Sequence, residues 1–254
     1  MDLKEDNIIG IVGGMGPQAG IDLMDHIVRL TQADKDQHHR SVILMSFPKH
    51  LVDRTSFVEG REDTNPGFNI AKIICRLESA GAKAIGIACN SSYIPVIYDV
   101  VLDELKQQGS EVKLIHMPQE TCKHIRSFYP SVKRVGLLVT NGTYQSGIYQ
   151  SYLQEMLFEP VVPEIEFQNK VINKMIYDPG IGIKARPDGI TEEAKILFHK
   201  ALDYFESLDT DVIILGCTEL SLIMKDNYTR KMAIINSNEI LARALLKETE
   251  KKQT

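Results

Sequence analysis

The chain of 254 residues contains no apolar run approaching the roughly 18 residues that a membrane helix needs, so no part of it is expected to enter a bilayer. It is also short of positive charge: 29 Lys and Arg against 34 Asp and Glu leave a formal charge of −5, and no basic stripe is visible. A surface built for phosphate backbones usually shows as a basic excess, so nucleic acid is not an expected partner. CxxC spacing is absent. The four cysteines, Cys75, Cys89, Cys122 and Cys217, lie far apart, which removes the usual zinc pattern and leaves no metal expected. The first ten residues, MDLKEDNIIG, carry charge where a signal peptide would need an apolar core. The expectation is a cytoplasmic chain whose thiols stay reduced. No glycine is followed by lysine, which excludes a Walker A phosphate loop.

What is present is an ordinary soluble composition, 43% hydrophobic and 25% charged, at a length that suits two modest domains. Apolar, strand-like runs alternate with helical patterns. IIGIVGG (8–14), SVILMSF (41–47), AIGIACN (84–90) and VKLIHM (112–117) each precede a helix, the four ending near Leu30, Ala80, Gln108 and Phe128. The order restarts with RVGLLVT (134–140) and a helix to about Leu157. A strand over 161–167, helices around 169–177 and 190–207, the strands VIILGC (212–217) and MAIIN (232–236), and a final helix complete it. This alternation predicts an α/β fold of parallel sheets flanked by helices.

The order also repeats. Gly10 corresponds to Gly136, an offset of 136 − 10 = 126, and Cys89 to Cys217, an offset of 217 − 89 = 128. Self-similarity at a fixed offset predicts two similar domains related by pseudo-twofold symmetry. Residues 1–117 with 237–254 would form the one that carries Cys89, and 118–236 the one that carries Cys217. Ligands of open parallel sheets bind beyond the carboxyl ends of the strands, so two such domains facing each other would enclose a cleft with one cysteine on each wall.

Free cysteine is most often core filler, and Cys75 and Cys122, in helical contexts, read that way. Cys89 and Cys217 differ: each ends a strand beside small polar groups, Asn90, Ser91 and Ser92 in one case, Thr218 and Glu219 in the other. Backbone amides at the following helix N-terminus would favour thiolate over thiol, whose free pKa is about 8.5. A single nucleophilic cysteine normally works with a partner base such as histidine. None of the seven histidines occupies an equivalent strand end. Two facing thiols suggest proton removal from one face of a carbon and delivery to the other, which produces the mirror image.

GGMGP (13–17), the strand-end CNS (89–91) and GCTE (216–219), with DRT (53–55), TNGT (140–143) and the lysine of YDPGIGIKARPDG (177–189), resemble the aspartate/glutamate racemase family, specifically its aspartate racemase branch, nearly end to end. The resemblance implies a racemase independent of pyridoxal phosphate and of metal, converting an acidic amino acid, L-aspartate to D-aspartate first, as a homodimer. By the same resemblance Cys89 and Cys217 are the acid/base pair and Arg54 and Lys184 bind the substrate's carboxylates. Asn90, Ser91 and Ser92 would hold the carboxylate beside the reacting carbon. Met15, Thr140, Thr143, Thr218 and Glu219 line the pocket in this reading. The chemistry is consistent: an α-proton is weakly acidic, so charge developing on the carboxylate needs donors, and an arginine fork suits a second carboxylate.

The chain departs from its relatives at one point, CNSSY where many read CNTAH, so Tyr93 stands in the histidine position. A phenol with a pKa of about 10 is a poor proton acceptor near neutral pH. Rival readings accompany the aspartate one. Gly14, Gly16 and Ala19 satisfy a dinucleotide fingerprint, but the second strand ends in SFPKH with no acidic residue for a ribose. A glutamate or broad-specificity racemase, or a cis-trans isomerase or decarboxylase of diacids, would use the same scaffold. A non-enzymatic amino-acid sensor would use the cleft but has no need of paired thiols.

Overall fold

The computed structural model describes residues 7–186, 189–225 and 231–250. The chain forms two compact units, Met1–Glu120 with Asn238–Thr254 and Thr121–Ser237. The lysine-bearing segment 177–189 lies within the described residues except for positions 187 and 188.

The first unit is a four-stranded, all-parallel sheet in the order β2-β1-β3-β4, built from β1 (Ile8–Gly13), β2 (Val42–Ser46), β3 (Ala82–Ile87) and β4 (Lys113–Ile115). β1 is buried at every position and β3 at all but Lys83, as continuous apolar runs covered on both faces should be. Helix α1 (Pro17–Leu30) starts with Pro17 at its first position, where a missing N–H costs nothing, and buries Ala19, Gly20, Leu23 and Ile27 along one stripe. The polar loop after β2 carries a short helix α2 (Arg54–Val58), with the Asp53 carboxylate accepting from Ser56 N at 2.8 Å. Helices α3 (Gly67–Ser79) and α4 (Pro95–Gln107) flank the sheet. Helix α5 (Met117–Phe128) leads into the second unit.

The second unit repeats the plan: β5 (Arg134–Val139), β6 (Glu159–Val161), β7 (Val212–Gly216) and β8 (Ala233–Asn236) form a parallel sheet in the order β6-β5-β7-β8. Between β5 and β6 the single expected helix is two, α6 (Asn141–Ser146) and α7 (Ile148–Glu155), because Gly147 turns left-handed at φ 68° and breaks the ladder. The strand expected over 161–167 is corrected. β6 ends at Val161, and Ile165–Phe167 is the helical turn α8, since Pro163 offers no N–H to a ladder. α8 runs into a π-helical stretch, Gln168–Asn173, and then α9 (Lys174–Tyr177).

Helix α10 (Glu192–Ser207) is capped by Thr191, whose hydroxyl accepts from Ala194 N at 3.1 Å, and Glu192 and Glu193 fill its first turn. Its buried face, Ala194, Phe198, Ala201, Leu202 and Phe205, packs on a core that includes Ile213 and Leu215 of β7. Each such large side chain contributes about 1.5–3 kcal/mol by leaving water. The last helix, α11 (Ser237–Glu250), returns to the first unit. No helix among the described residues is long and apolar enough to cross a membrane.

Candidate active site

In each sheet the strand order reverses between its first and third strands in sequence, so the crevice where connections leave in opposite directions lies past β1 and β3 in one unit and past β5 and β7 in the other. Parallel sheets bind ligands at that switch point. Cys89 follows β3 after one residue and Cys217 follows β7 directly. Both thiols are free and buried, with 5% and 4% of their surface exposed.

In the first unit the turn after β1 needs glycine. Gly14 has φ +92°, and a Cβ there would sit 3.0 Å from the backbone N of Phe47. Met15, next along, is buried, and two predicted site residues meet it. The Arg54 guanidinium donates to Met15 O and to Val52 O, each at 3.0 Å, and the Ser92 hydroxyl lies 3.4 Å from Met15 Sδ. Arg54 opens helix α2 rather than sitting solvated in a loop, and only 6% of it is exposed. Asp53 Oδ2 lies 4.0 Å from its Nη2. The two carbonyl contacts fix the plane of a buried guanidinium. Asn90, Ser91, Ser92 and Tyr93 form a 3-10 turn after Cys89, fastened by Ser92 N to Cys89 O at 3.2 Å, and all four are buried.

Tyr93 is fixed on backbone. Its hydroxyl accepts from Ile87 N at 3.0 Å and donates to Ile115 O at 2.9 Å, and its ring packs 4.7 Å from His116. Burial pushes the phenol well above its usual pKa. The residue ties the ends of β3 and β4 together and is no proton acceptor.

In the second unit Thr140 caps α6, its hydroxyl lying 3.2 Å from that of Thr143. The β5–β7 register pairs Val139 with Gly216, which brings Thr140 and Cys217 to adjacent strand ends. Gly216 permits this approach, since a Cβ there would meet Val139 Cγ1 at 2.5 Å. After Cys217 the 3-10 turn Thr218–Lys225 aims Glu219 back at the thiol, with Cys217 Sγ donating to Glu219 Oε2 at 3.2 Å and Thr218 Oγ1 to the same oxygen at 3.2 Å. Lys184, from the turn Ile183–Ala185, places its ammonium 2.5 Å from Glu219 Oε1 and 5.8 Å from the Tyr177 ring centroid. Lys184 thus meets a carboxylate of its own chain.

Burial and the neighbouring Glu219 carboxylate push the Cys217 thiol well above its ordinary pKa, and the Lys184 ammonium opposes this only in part. The backbone amide of Glu219 does favour the Cys217 thiolate, as expected, but burial and the Glu219 carboxylate outweigh it. Cys122 is buried with its thiol pushed up by burial, as core filler should be, whereas Cys75 is only half-buried. Sequence reading missed Gln168 and Asn141. Gln168 Nε2 donates to Val139 O and to Asn141 Oδ1, each at 3.0 Å, and Asn141 Nδ2 donates to Asn169 at 2.9 Å, so the pair holds the Thr140–Thr143 turn. The Asn of TNGT was the available signal; Gln168, on the π-helical stretch, had none. Among the described residues no group of three or more His, Cys, Asp and Glu could hold a metal ion.

The family described as Asp/Glu/Hydantoin racemase matches residues 12–245, and the chain belongs to it, which makes it a racemase of the amino-acid type and so an isomerase. Over 243 residues, 93% of this chain and 96% of the relative, it is 28% identical to the broad specificity amino-acid racemase RacX of Bacillus subtilis (strain 168). The aspartate racemase of Picrophilus torridus superposes with a TM-score of 0.79 at 27% identity, covering 98% of this chain and 96% of that one. Glutamate racemase isoform RacE1 from Bacillus anthracis shares the fold, with a TM-score of 0.63 at 19% identity over 97% and 82% of the two chains.

Proposed function

We propose that the chain interconverts the L and D forms of an acidic amino acid, aspartate first, by a pyridoxal-independent, metal-independent 1,1-proton transfer between Cys89 and Cys217. The observation that carries the reading is that the switch point of each sheet ends in a buried free cysteine followed by polar donors. One thiolate takes the α-proton as the opposite thiol delivers its own, so an S–H and a C–H bond break while a C–H and an S–H bond form, and the carbon inverts. Asn90, Ser91 and Ser92 hold the α-carboxylate and stabilise its growing charge. Arg54 takes the side-chain carboxylate, supported by its burial and its carbonyl-fixed fork. Lys184 adds positive charge beside Cys217, and Met15, Thr140, Thr143 and Thr218 line the pocket.

A broader substrate range is the second reading, favoured by the likeness to RacX over nearly the whole chain. The deciding experiment incubates pyridoxal-free protein with L-aspartate in deuterated water and follows optical rotation and α-deuterium, then repeats this with glutamate, lysine and arginine. Loss of rotation with one deuterium incorporated is expected for aspartate. No exchange with any amino acid would sink the reading. Cys89→Ala and Cys217→Ala should each abolish turnover, and Cys75→Ala and Cys122→Ala should keep it. Equal activity in all four variants would defeat the two-thiol mechanism.

A further inference from the structure

Glu219 sits where a substrate ligand was expected, yet its carboxylate is turned onto protein: one oxygen accepts from Cys217 Sγ at 3.2 Å and the other meets Lys184 Nζ at 2.5 Å. The carboxylate side chain is 5% exposed and the lysine 17%. We infer that Glu219 is a positioning residue acting through Cys217, whose thiol proton it holds, so that Cys217 is the protonated, donor thiol of the resting enzyme and Lys184 is the carboxylate's counter-charge. This rests on the proposed two-thiol reaction and adds an order to it.

The charge count gives the reason. With Cys217 protonated, the buried trio of thiol, carboxylate and ammonium is neutral. When Cys217 gives its proton to the α-carbon, the S–H electron pair stays on sulfur and a C–H bond forms, leaving a thiolate against a carboxylate in a site with little water. Like charges at that range disfavour the thiolate, so Cys217 recovers a proton readily, from the substrate's α-carbon in the reverse direction or from water. The titratable and charged groups facing the thiol among the described residues are Glu219 from its own turn and Lys184 from the turn Ile183–Ala185, with Tyr177 packed on the lysine. Removing the carboxylate's charge while keeping its shape leaves only the cation, which favours thiolate.

The test reads ionisation directly. The full chain is alkylated with iodoacetamide across a pH series and modification at Cys217 is followed by mass spectrometry, in the natural protein, Glu219→Gln, Glu219→Asp and, as a control at an exposed helical ion pair, Glu166→Gln. The Cys217 midpoint of the natural protein should lie above the roughly 8.5 of an ordinary thiol. Glu219→Gln should lower it by about one unit or more, Glu219→Asp should fall between, and the control should not move. The basic limb of the racemisation pH profile should shift down with it. An unchanged or raised midpoint in Glu219→Gln overturns the inference, as does a natural midpoint at or below 8.5. Should Glu219→Gln fail to fold, Glu219→Asp decides by the sign of its shift, and no downward shift overturns the inference. Alkylation needs no turnover, so a chain without racemase activity still returns this result. A racemase whose midpoint ignores Glu219 refutes this step alone.

Discussion

Two side chains of the first unit carry opposite expectations, Arg54 for the proposed anion binding and Tyr93 for holding the turn. Arg54 spends part of its fork on Val52 O and Met15 O, which fixes the guanidinium plane before any ligand arrives. Lysine at this position has the charge but not the fork. Arg54→Lys should therefore raise KM for aspartate by about ten- to a hundredfold, the range of one or two lost charge-assisted hydrogen bonds, measured by initial rates of racemisation. A variant with unchanged KM would remove Arg54 from the substrate site. Tyr93 gives the opposite expectation. Its hydroxyl satisfies Ile87 N and Ile115 O inside the protein, so Tyr93→Phe should cost about 1–3 kcal/mol in denaturant unfolding while kcat stays close to that of the natural protein. A large fall in kcat at unchanged stability would return the phenol to the chemistry.

At the level of elements, the glycine that ends β7 controls where the second thiol stands. Gly216→Ala would force a Cβ into Val139 Cγ1 at 2.5 Å, pushing β7 from β5 at the residue before Cys217. Overpacking of this kind costs about 1–3 kcal/mol, and under the proposed two-thiol reaction racemisation should fall further than the unfolding curve alone accounts for, because a displaced thiol would miss its carbon. The strands themselves were legible in the sequence, since IIGIVG, AKAIGI, RVGLLV and VIILG are buried on both faces and so need continuous apolar runs. The strand ends were legible too, as Cys89 and Cys217 stand out against apolar neighbours. Illegible were features set by backbone conformation and by distant pairing. The helix break at Gly147 and the helical turn after Pro163 depend on single residues whose effect competes with the surrounding pattern. The pairing of Lys184 with Glu219 joins residues 35 positions apart, and both are types that sequence alone assigns to solvent.

For the molecule as a whole, the first unit is made of two stretches separated by the entire second unit, so its integrity depends on α11. That helix is bound by specific contacts. Asn238 Nδ2 donates to Ala19 O at 3.0 Å and to Asp22 at 2.8 Å, Asn7 Nδ2 donates to Thr249 O at 3.0 Å, and Leu241 and Leu245 are buried against Gly86 near the end of β3. A side chain at Gly86 would meet Leu245 at 2.9 Å and Leu241 at 3.0 Å, so helix and strand touch with nothing between them. The second unit is continuous in sequence and needs no such closure. Contacts of such long sequence separation are slow to form, and weakening them lets their own unit open below the global free energy. Leu245→Ala should cost the first unit about 2–5 kcal/mol. In amide hydrogen exchange followed by mass spectrometry, protection should fall across β1 and β3 and persist in β5 and β7. β3 delivers Cys89, so racemisation should fall with that protection, whereas the pH profile for alkylation of Cys217 should hold its midpoint. Equal loss of protection in both sheets would show instead that the two units open together.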